Sequence, residues 1–130
     1  AFMDSLRVSA QKNGFVETLF HRRRYIPELQ SPYIRVRMEG ERMAINMPIQ
    51  GTAADIMKMA MNKIYAEILL GAPPDDIHPV LQVHDELIFE VKNERVKKYR
   101  EAIQRVMESV AVLNVPIVVD VSVGSAWGDL

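Results

Sequence analysis

Three adjacent polar residues, His84, Asp85 and Glu86, interrupt an otherwise alternating apolar stretch at residues 81–91. The alternation predicts a β-hairpin with these residues at its turn. Because neighbouring carboxylates repel each other, a turn selected for stability alone would carry Asn-Gly or Asp-Gly. Carboxylates held on a rigid strand pair suit a hard cation such as Mg²⁺, which prefers oxygen ligands. The alternative is a plain exposed turn, since Asp favours turns and one Asp-Glu pair does not complete a metal site.

The residues on either side of this turn are predicted to hold the hairpin in a hydrophobic core. Leu81 and Val83 would face one side of the first strand, because side chains alternate along a strand. Leu87, Phe89 and Val91 would continue an apolar face on the second strand. The flanks would then form the core, which leaves the polar tip available for another role.

A second polar pattern lies on a segment with helical periodicity. Arg42, Asn46 and Gln50 are spaced four apart, so a continuous helix would place them on one slowly drifting stripe. All three side chains donate hydrogen bonds and none is negative, which suits phosphate oxygens or the acceptors of the DNA minor groove. Pro48 is expected to kink or break the helix, which leaves the position of Gln50 undetermined. The alternative is a solvated polar helix face.

Arg22, Arg23 and Arg24 form a run of adjacent cations. Such a run suits contact with phosphates, and the alternative is a solvated basic turn. The net charge is −1, but residues 7–37 contain seven bases and two acids, whereas residues 75–130 contain ten acids and six bases. This asymmetry favours a basic surface for a polyanion beside an acidic region that holds cations, with chance as the alternative.

The composition is that of one ordinary globular domain. The 130 residues suffice for one modest core, and 48% hydrophobic with 25% charged residues argues against disorder. No apolar run approaches the ~18–20 residues of a membrane span. The lack of cysteine excludes a disulfide framework and a thiolate metal site. The chain opens on Ala1 in mid-pattern, which favours a piece of a longer protein.

The first third of the chain predicts a helix, a strand and a loop. The helix is expected to end at about Asn13, because Gly14 is placed to terminate it. A short strand is expected within residues 15–20, and Pro27 excludes a central strand after it. Residues 28–38 are predicted to be a loop.

Residues 37–70 have helical periodicity that is interrupted near Pro48 and Gly51. Thr52 and Asp55 resemble a capping box at the start of the second part. The apolar stripe of that part comprises Met57, Ala60, Ile64 and Ile68.

The last third predicts the hairpin, a helix and a strand. Asn93 is predicted to cap the helix, and residues 115–124 form a strand by their Val and Ile content. Trp127 is predicted to fill a core position. The order of elements predicts an α+β fold in which an antiparallel sheet, the motif-bearing hairpin plus the C-terminal strand, packs against helices. The apolar positions of the helix are Val96, Tyr99, Ile103, Val106 and Val110.

Four separated motifs together resemble the DNA polymerase I-like, or family A, DNA polymerases of bacterial type. They are GFVETLFHRRRYIPEL at residues 14–29, NMPIQGTAAD at 46–55, QVHDE at 82–86 and GSAW at 124–127. They occur in the order and spacing of that family, and the resemblance covers essentially the whole chain.

The resemblance implies a C-terminal part of the polymerase domain, with residues 1–36 leading into the palm and residues 37–130 forming palm helices and the hairpin. The implied activity is template-directed DNA synthesis by two-metal nucleotidyl transfer. Asp85 would bind the two Mg²⁺ ions, with Glu86 as an auxiliary carboxylate. The implied partners are primer-template DNA, dNTP and the N-terminal remainder of the polymerase, in the cytoplasm at the nucleoid.

The same resemblance implies several DNA contacts. His84 would lie close to the primer terminus. Arg42, Asn46 and Gln50 would contact the minor groove and backbone of the new duplex, reading acceptors that all correct base pairs share. The arginines at 22–24 would lie on or near the DNA or support the adjoining structure.

The chain departs from the family pattern in two respects. The second invariant Asp and the nucleotide-binding fingers helix are not in this sequence, so half of a metal site is expected and polymerisation by the segment alone is not. His21 replaces the glycine usual before the arginines, and His tolerates a positive φ better than most residues.

Two other functions compete with the polymerase. A metal phosphohydrolase with an adjacent His-Asp pair would need further His and Asp ligands, and His21 and His78 lack the spacing for it. A non-catalytic nucleic-acid-binding module would keep the fold only. The intact His84, Asp85 and Glu86 disfavour that module.

Overall fold

A computed structural model describes residues 2–130 and contains helices and two antiparallel two-stranded sheets, which confirms the α+β class. The chain divides into two compact units, one ending at Asp55 and one beginning at Ile56. The helices and strands are α1 (Phe2–Asn13), β1 (Phe15–Glu17), β2 (Arg23–Tyr25), α2 (Ile34–Ile64), β3 (Ile77–Val83), β4 (Glu86–Val91) and α3 (Val96–Glu108).

The first unit begins with α1 and a short hairpin. Gly14, with φ 75°, ends α1 as predicted and donates its N–H to the Ala10 carbonyl at 2.8 Å. β1 then pairs with β2 in antiparallel register, with Phe15 opposite Tyr25. The strand predicted within residues 15–20 is confirmed, but it stops at Glu17 because a turn follows.

The core of the first unit lies between α1, this hairpin and the first half of α2. Pro27 begins a 3₁₀ helix, Pro27–Gln30, and α2 begins at Ile34. The predicted loop at 28–38 was therefore wrong, because Pro is well tolerated in a first helical turn. The buried cluster comprises Ala10, Val16, Ile26, Leu29, Ala44 and Met47.

α2 is one continuous helix of 31 residues with Pro48 inside it. The predicted interruption near Pro48 and Gly51 was wrong, and so was the capping box of Thr52 and Asp55, since no helix starts there. Both side chains instead bond to the hairpin of the first unit. Tertiary contacts therefore outweigh the local preference for a break.

The second unit packs the end of α2 and α3 against the β3–β4 hairpin. A π-helical turn, Tyr65–Leu69, follows α2. The carboxylate of Asp76, just before β3, accepts a hydrogen bond from the Tyr99 hydroxyl at 3.3 Å and lies 3.5 Å from Arg95 Nε. The apolar stripes predicted for both helices are confirmed at the buried positions Ala60, Ile64, Ile68, Tyr99, Ile103 and Val106.

The register of the β3–β4 hairpin corrects one predicted face. Leu87, Phe89 and Val91 pack against the core as predicted. Leu81 pairs with Ile88 and Val83 with Glu86, and directly opposite residues share a face. Leu81 and Val83 therefore lie on the sheet face opposite to Leu87, Phe89 and Val91. The reason is the two-residue turn, which pairs Val83 with Glu86 and so places these two side chains on the same face.

The predicted strand at 115–124 is not formed within residues 2–130. A strand needs a ladder partner, and in the described chain the Val119 backbone is bonded instead by α3 side chains, Glu108 Oε1 at 3.3 Å and Gln104 Nε2 at 3.0 Å.

Two smaller predictions near α3 and the C-terminus were also wrong. Trp127 is 60% exposed, so it fills no core position in the described chain. Asn93 lies in a 3₁₀ turn, Asn93–Arg95, and α3 begins without a side-chain cap. Among residues 2–130, no helix combines the length and hydrophobicity needed to cross a membrane.

Candidate functional site

The β3–β4 hairpin places His84 and Asp85 as the two residues of its turn. Val83 and Glu86 form the last strand pair before it. His84 has φ 51°, whereas Asp85 does not have a positive φ. A two-residue turn with positive φ at its first position is the type that usually carries Gly there. A side chain at this position costs about 1–3 kcal/mol, so the tip is not optimised for stability.

The polar side chains of this tip face solvent. His84, Asp85 and Glu86 are all exposed, and Gln82 Nε2 donates to the His84 carbonyl at 3.3 Å. The two carboxylates are the oxygen donors that Mg²⁺ prefers. Within residues 2–130, no group of three or more His, Cys, Asp or Glu side chains is arranged to hold a metal ion. The donor type fits Mg²⁺, but the described residues at this tip do not by themselves form a complete metal site.

The polar stripe of α2 lies in the first unit. Because α2 runs through Pro48 without a break, Arg42, Asn46 and Gln50 follow one side of it at intervals of about 6 Å along the axis. All three are exposed, and in the described part of the chain their side chains form no hydrogen bond or ion pair. Their donors are therefore free to bind an acceptor surface.

The three adjacent arginines have different environments. Arg22 donates from Nε to Asp55 Oδ1 at 2.7 Å and from Nη2 to the Gly51 carbonyl at 3.1 Å. Arg24 is exposed, and its Nη2 lies 3.6 Å from the Met43 sulfur. The run of like charges is thus not a uniform basic surface.

Arg23 is paired with Glu17 across the β1–β2 hairpin. Its Nε donates to Glu17 Oε1 at 2.6 Å, and its guanidinium lies 4.5 Å from the Phe15 ring centroid. The hydrogen bond from Arg23 holds the pKa of the Glu17 carboxyl below its ordinary value of 4.5 and raises the pKa of Arg23. Arg23 still presents half of its side chain to solvent.

The turn between β1 and β2 packs closely on α2. Leu19 donates its backbone N–H to Thr52 Oγ1 at 2.9 Å, and Thr52 Oγ1 donates to the Pro48 carbonyl. A Cβ on Gly51 would lie only 2.8 Å from Thr18 Cγ2. Sequence reasoning missed these contacts. A glycine inside a helical pattern often marks such a close approach and was the available signal.

His21 occupies the same turn with φ 62°. The position therefore has the positive φ under which glycine is favoured over other residues. Its Nδ1 lies 3.7 Å from Glu17 Oε2.

The predicted site residues fall in both units. His84, Asp85 and Glu86 lie in the second unit, whereas the polar stripe and the three arginines lie in the first. Within the first unit, Arg22 is joined to α2 by direct bonds, and Arg23 is bonded to Glu17 on the adjacent strand.

The model of DNA polymerase family A matches residues 1–129. The chain belongs to DNA polymerase family A. Bacterial relatives of this family A chain include the thermostable DNA polymerase I of Thermus filiformis, 46% identical over 128 residues, and the DNA polymerase I of Pseudomonas aeruginosa, 46% identical over 129 residues. The resemblance stated from the four motifs is confirmed.

The family A chain spans only a small share of these relatives. The matches cover 98% and 99% of the chain but 15% and 14% of the two relatives. The solved structure of the "POL domain of Pol1 from M. smegmatis complex with DNA primer-template and dNTP" is similar with a TM-score of 0.82 at 38% identity. That likeness covers 88% of this chain and 20% of the other.

Proposed function

We propose that the chain works as part of a longer family A DNA polymerase and contributes to template-directed DNA synthesis. Residues 1–36 would lead into the palm, and residues 37–130 would form palm helices and the hairpin. The observation that carries the proposal is the exposed acidic tip at Asp85, held on a turn with an unfavourable φ at His84. Strained turns of this kind concentrate at functional sites.

Asp85 is the proposed ligand for divalent cations, and Glu86 is an auxiliary carboxylate beside it. Two Mg²⁺ ions, when bound, would activate the primer 3′-hydroxyl and neutralise charge that develops on the phosphates. The turn fixes the Asp85 backbone at the end of two paired strands, so its carboxylate is presented without a large loss of loop entropy. The remaining ligands are proposed to come from the rest of the polymerase.

His84 is proposed to lie next to the primer terminus. Its exposed ring adjoins Asp85 in the turn, and its backbone carbonyl is fixed by the Gln82 amide at 3.3 Å. A side chain at this position is therefore oriented by the hairpin and not by a mobile loop.

Arg42, Asn46 and Gln50 are proposed to contact the minor groove and backbone of the newly formed duplex. The stripe is exposed, carries hydrogen-bond donors and no negative charge, and lies on a continuous helix. Minor-groove acceptors are nearly the same for all correct base pairs, so these contacts would test pairing geometry without selecting a sequence. Arg23 and Arg24 are proposed to face DNA phosphates at the edge of the same unit.

This function is supported by the family membership and by the M. smegmatis polymerase structure, whose title names primer-template DNA and dNTP. The family model and the relatives named above are DNA polymerases, and none of them supports the phosphohydrolase alternative. Cytoplasmic DNA of the nucleoid is the proposed place of action.

The test is primer extension in Mg²⁺ by the complete polymerase that contains this chain. Asp85→Asn keeps the size of the side chain but removes its charge, so we expect extension to be abolished while DNA affinity is largely kept. Glu90→Gln, at an exposed carboxylate farther along β4, is the matched control and should extend normally. Full extension by the Asp85→Asn enzyme would refute the assignment.

A further inference from the structure

α2 is held by two kinds of contact on the two sides of Pro48. Before Pro48, Ala44 and Met47 are buried in the apolar cluster of the first unit. After Pro48, Gly51, Thr52 and Asp55 are held by polar contacts from the β1–β2 turn. The contact that anchors the helix thus changes at the residue where a helix is weakest.

Pro48 removes one backbone hydrogen bond, the one that would reach the Ala44 carbonyl, and its ring crowds that carbonyl. A proline inside a helix costs about 3 kcal/mol, which favours a kink or a break. Thr52 ties the β1–β2 turn to the helix just after the proline, because its Oγ1 accepts the Leu19 N–H and donates to the Pro48 carbonyl. The turn therefore holds the part of the helix that follows the weakened position.

Arg22 forms the strongest part of this connection. Its guanidinium spans two groups one helical turn apart, the Gly51 carbonyl at 3.1 Å and the Asp55 carboxylate at 2.7 Å. The Asp55 side chain is only 12% exposed, and charge-assisted bonds to such a group are stronger than neutral ones. Arg22 itself is fixed by its backbone N–H, which donates to Thr18 Oγ1 at 3.1 Å.

Gln50 lies inside the segment that these contacts fix. Its neighbour Gly51 is covered by Thr18, whereas Gln50 is exposed. If the helix kinked at Pro48, Gln50 would rotate away from Arg42 and Asn46, since those two residues precede the kink.

We propose that Arg22 is a positioning residue: through Asp55 and the Gly51 carbonyl it keeps α2 helical beyond Pro48, and it thereby orients Gln50 for the minor groove of the product duplex. The inference rests on the proposed function of the polar stripe. This role distinguishes Arg22 from Arg24, whose guanidinium has no ion pair in the described chain. Arg22 supports the DNA-contacting helix, and Arg24 contacts a phosphate.

The test compares single and double variants of the complete polymerase. The first readout is discrimination, the ratio of extension rates from paired and mispaired primer termini. Gln50→Ala should lower this ratio about 2- to 10-fold, as expected for one lost hydrogen bond. Arg22→Gln and Asp55→Asn should lower it similarly, and Arg22→Gln should add little in the Gln50→Ala background. Arg22→Lys should restore part of it, because Lys reaches Asp55 but lacks the guanidinium fork.

The second readout is the salt dependence of primer-template binding. Neutralising a phosphate ligand makes the negative slope of log K against log salt shallower by about 0.9. We expect that loss for Arg24→Gln and no such loss for Arg22→Gln. Asp55→Asn, which keeps an acceptor oxygen, is the fallback if Arg22→Gln does not fold.

The outcomes separate this inference from the proposed function. If Gln50→Ala lowers discrimination but Arg22→Gln and Asp55→Asn do not, the positioning role is overturned and the stripe stands. A slope loss of about 0.9 for Arg22→Gln also overturns it, because Arg22 would then be a phosphate ligand. If Gln50→Ala changes nothing, the role of the stripe in the minor groove fails and this inference fails with it.

Discussion

Replacement of Gly51 by Ala tests how tightly the β1–β2 turn packs on α2. In an open helix interior this change stabilises a protein by about 1 kcal/mol, because Ala is the better helix former. Here the new Cβ would lie 2.8 Å from Thr18 Cγ2, 3.2 Å from Met47 Cε and 3.3 Å from Arg22 Nη2. Overpacking of this kind costs about 1–3 kcal/mol. The expected net effect is a destabilisation of about 1 kcal/mol.

Thr18 decides the sign of this effect. Met47 Cε is the end of a flexible side chain and can move, but Thr18 is β-branched and only 4% exposed. Its Oγ1 accepts the Arg22 N–H at 3.1 Å, so rotation away from the new Cβ would break that bond. The turn must therefore shift as a whole.

The assay is thermal unfolding of the protein followed by circular dichroism. A loss of about 1 kcal/mol corresponds to a Tm decrease of about 3–5 °C for a chain of this size. Gly71→Ala is the matched control, because no heavy atom lies within 4 Å of the Cβ it would add. That variant should be neutral or slightly stabilising.

A second variant tests the cause. Thr18→Ser removes Cγ2 and keeps the hydroxyl, so Gly51→Ala should be less harmful in the Thr18→Ser background by at least ~0.5 kcal/mol. A Gly51→Ala protein that is more stable than the parent, or strict additivity with Thr18→Ser, would refute the close packing described here.

Three further predictions concern single contacts. Because Arg23 lowers the pKa of Glu17, the pair stabilises the β1–β2 hairpin above pH 4.5, and this stabilisation is lost as the pH falls through the lowered pKa. An NMR titration of the Glu17 carboxyl should show a midpoint below 4.5, and Arg23→Gln should raise that midpoint toward 4.5. Tyr99→Phe removes a buried hydrogen bond to Asp76 and should cost about 1–2 kcal/mol in urea unfolding, whereas Tyr65→Phe, at an exposed position, should change stability by less than ~0.5 kcal/mol. At φ 62°, His21→Val should destabilise by about 1–2 kcal/mol in thermal unfolding, and an unchanged Tm would contradict the strain.

Elements fixed by local chemistry were predictable from the sequence. The end of α1 at Gly14 follows from the conformational freedom of glycine, and the alternating stretch around residues 81–91 forms the expected hairpin. The buried stripe through Ile64 and Ile68 follows from helical spacing. These signals need no knowledge of distant contacts.

Elements that depend on distant contacts were not predictable. Pro48 favours a break by local rules, yet α2 continues through it and is held on both sides by contacts with distant parts of the chain. The Val-rich segment at 115–124 has strand propensity, but propensity supplies no ladder partner, and residues 2–130 provide none. The side-chain face of β3 was mispredicted because turn length determines which residues share a face.

The candidate site was predictable in its residues and less so in its geometry. The acidic tip at Asp85 and the stripe at Arg42, Asn46 and Gln50 were identified from residue type and spacing, and all lie exposed as a binding role requires. The different environments of the adjacent arginines were not predictable, since Arg22 and Arg24 are the same residue type and differ only in the side chains around them.

Two places where this chain departs from local preference lie at or near residues proposed to contact substrate or DNA. His84 occupies a turn position suited to glycine, and Pro48 lies inside the helix that presents the polar stripe. Local departures of this kind concentrate at functional sites, where other contacts must compensate for them. Near Pro48, bonds from the β1–β2 turn to Thr52 and to the Gly51 carbonyl hold the helix just beyond the proline. At His84 the compensation comes from the paired strands on both sides, so loosening the Leu81–Ile88 pairing should disturb Asp85 before it unfolds the unit.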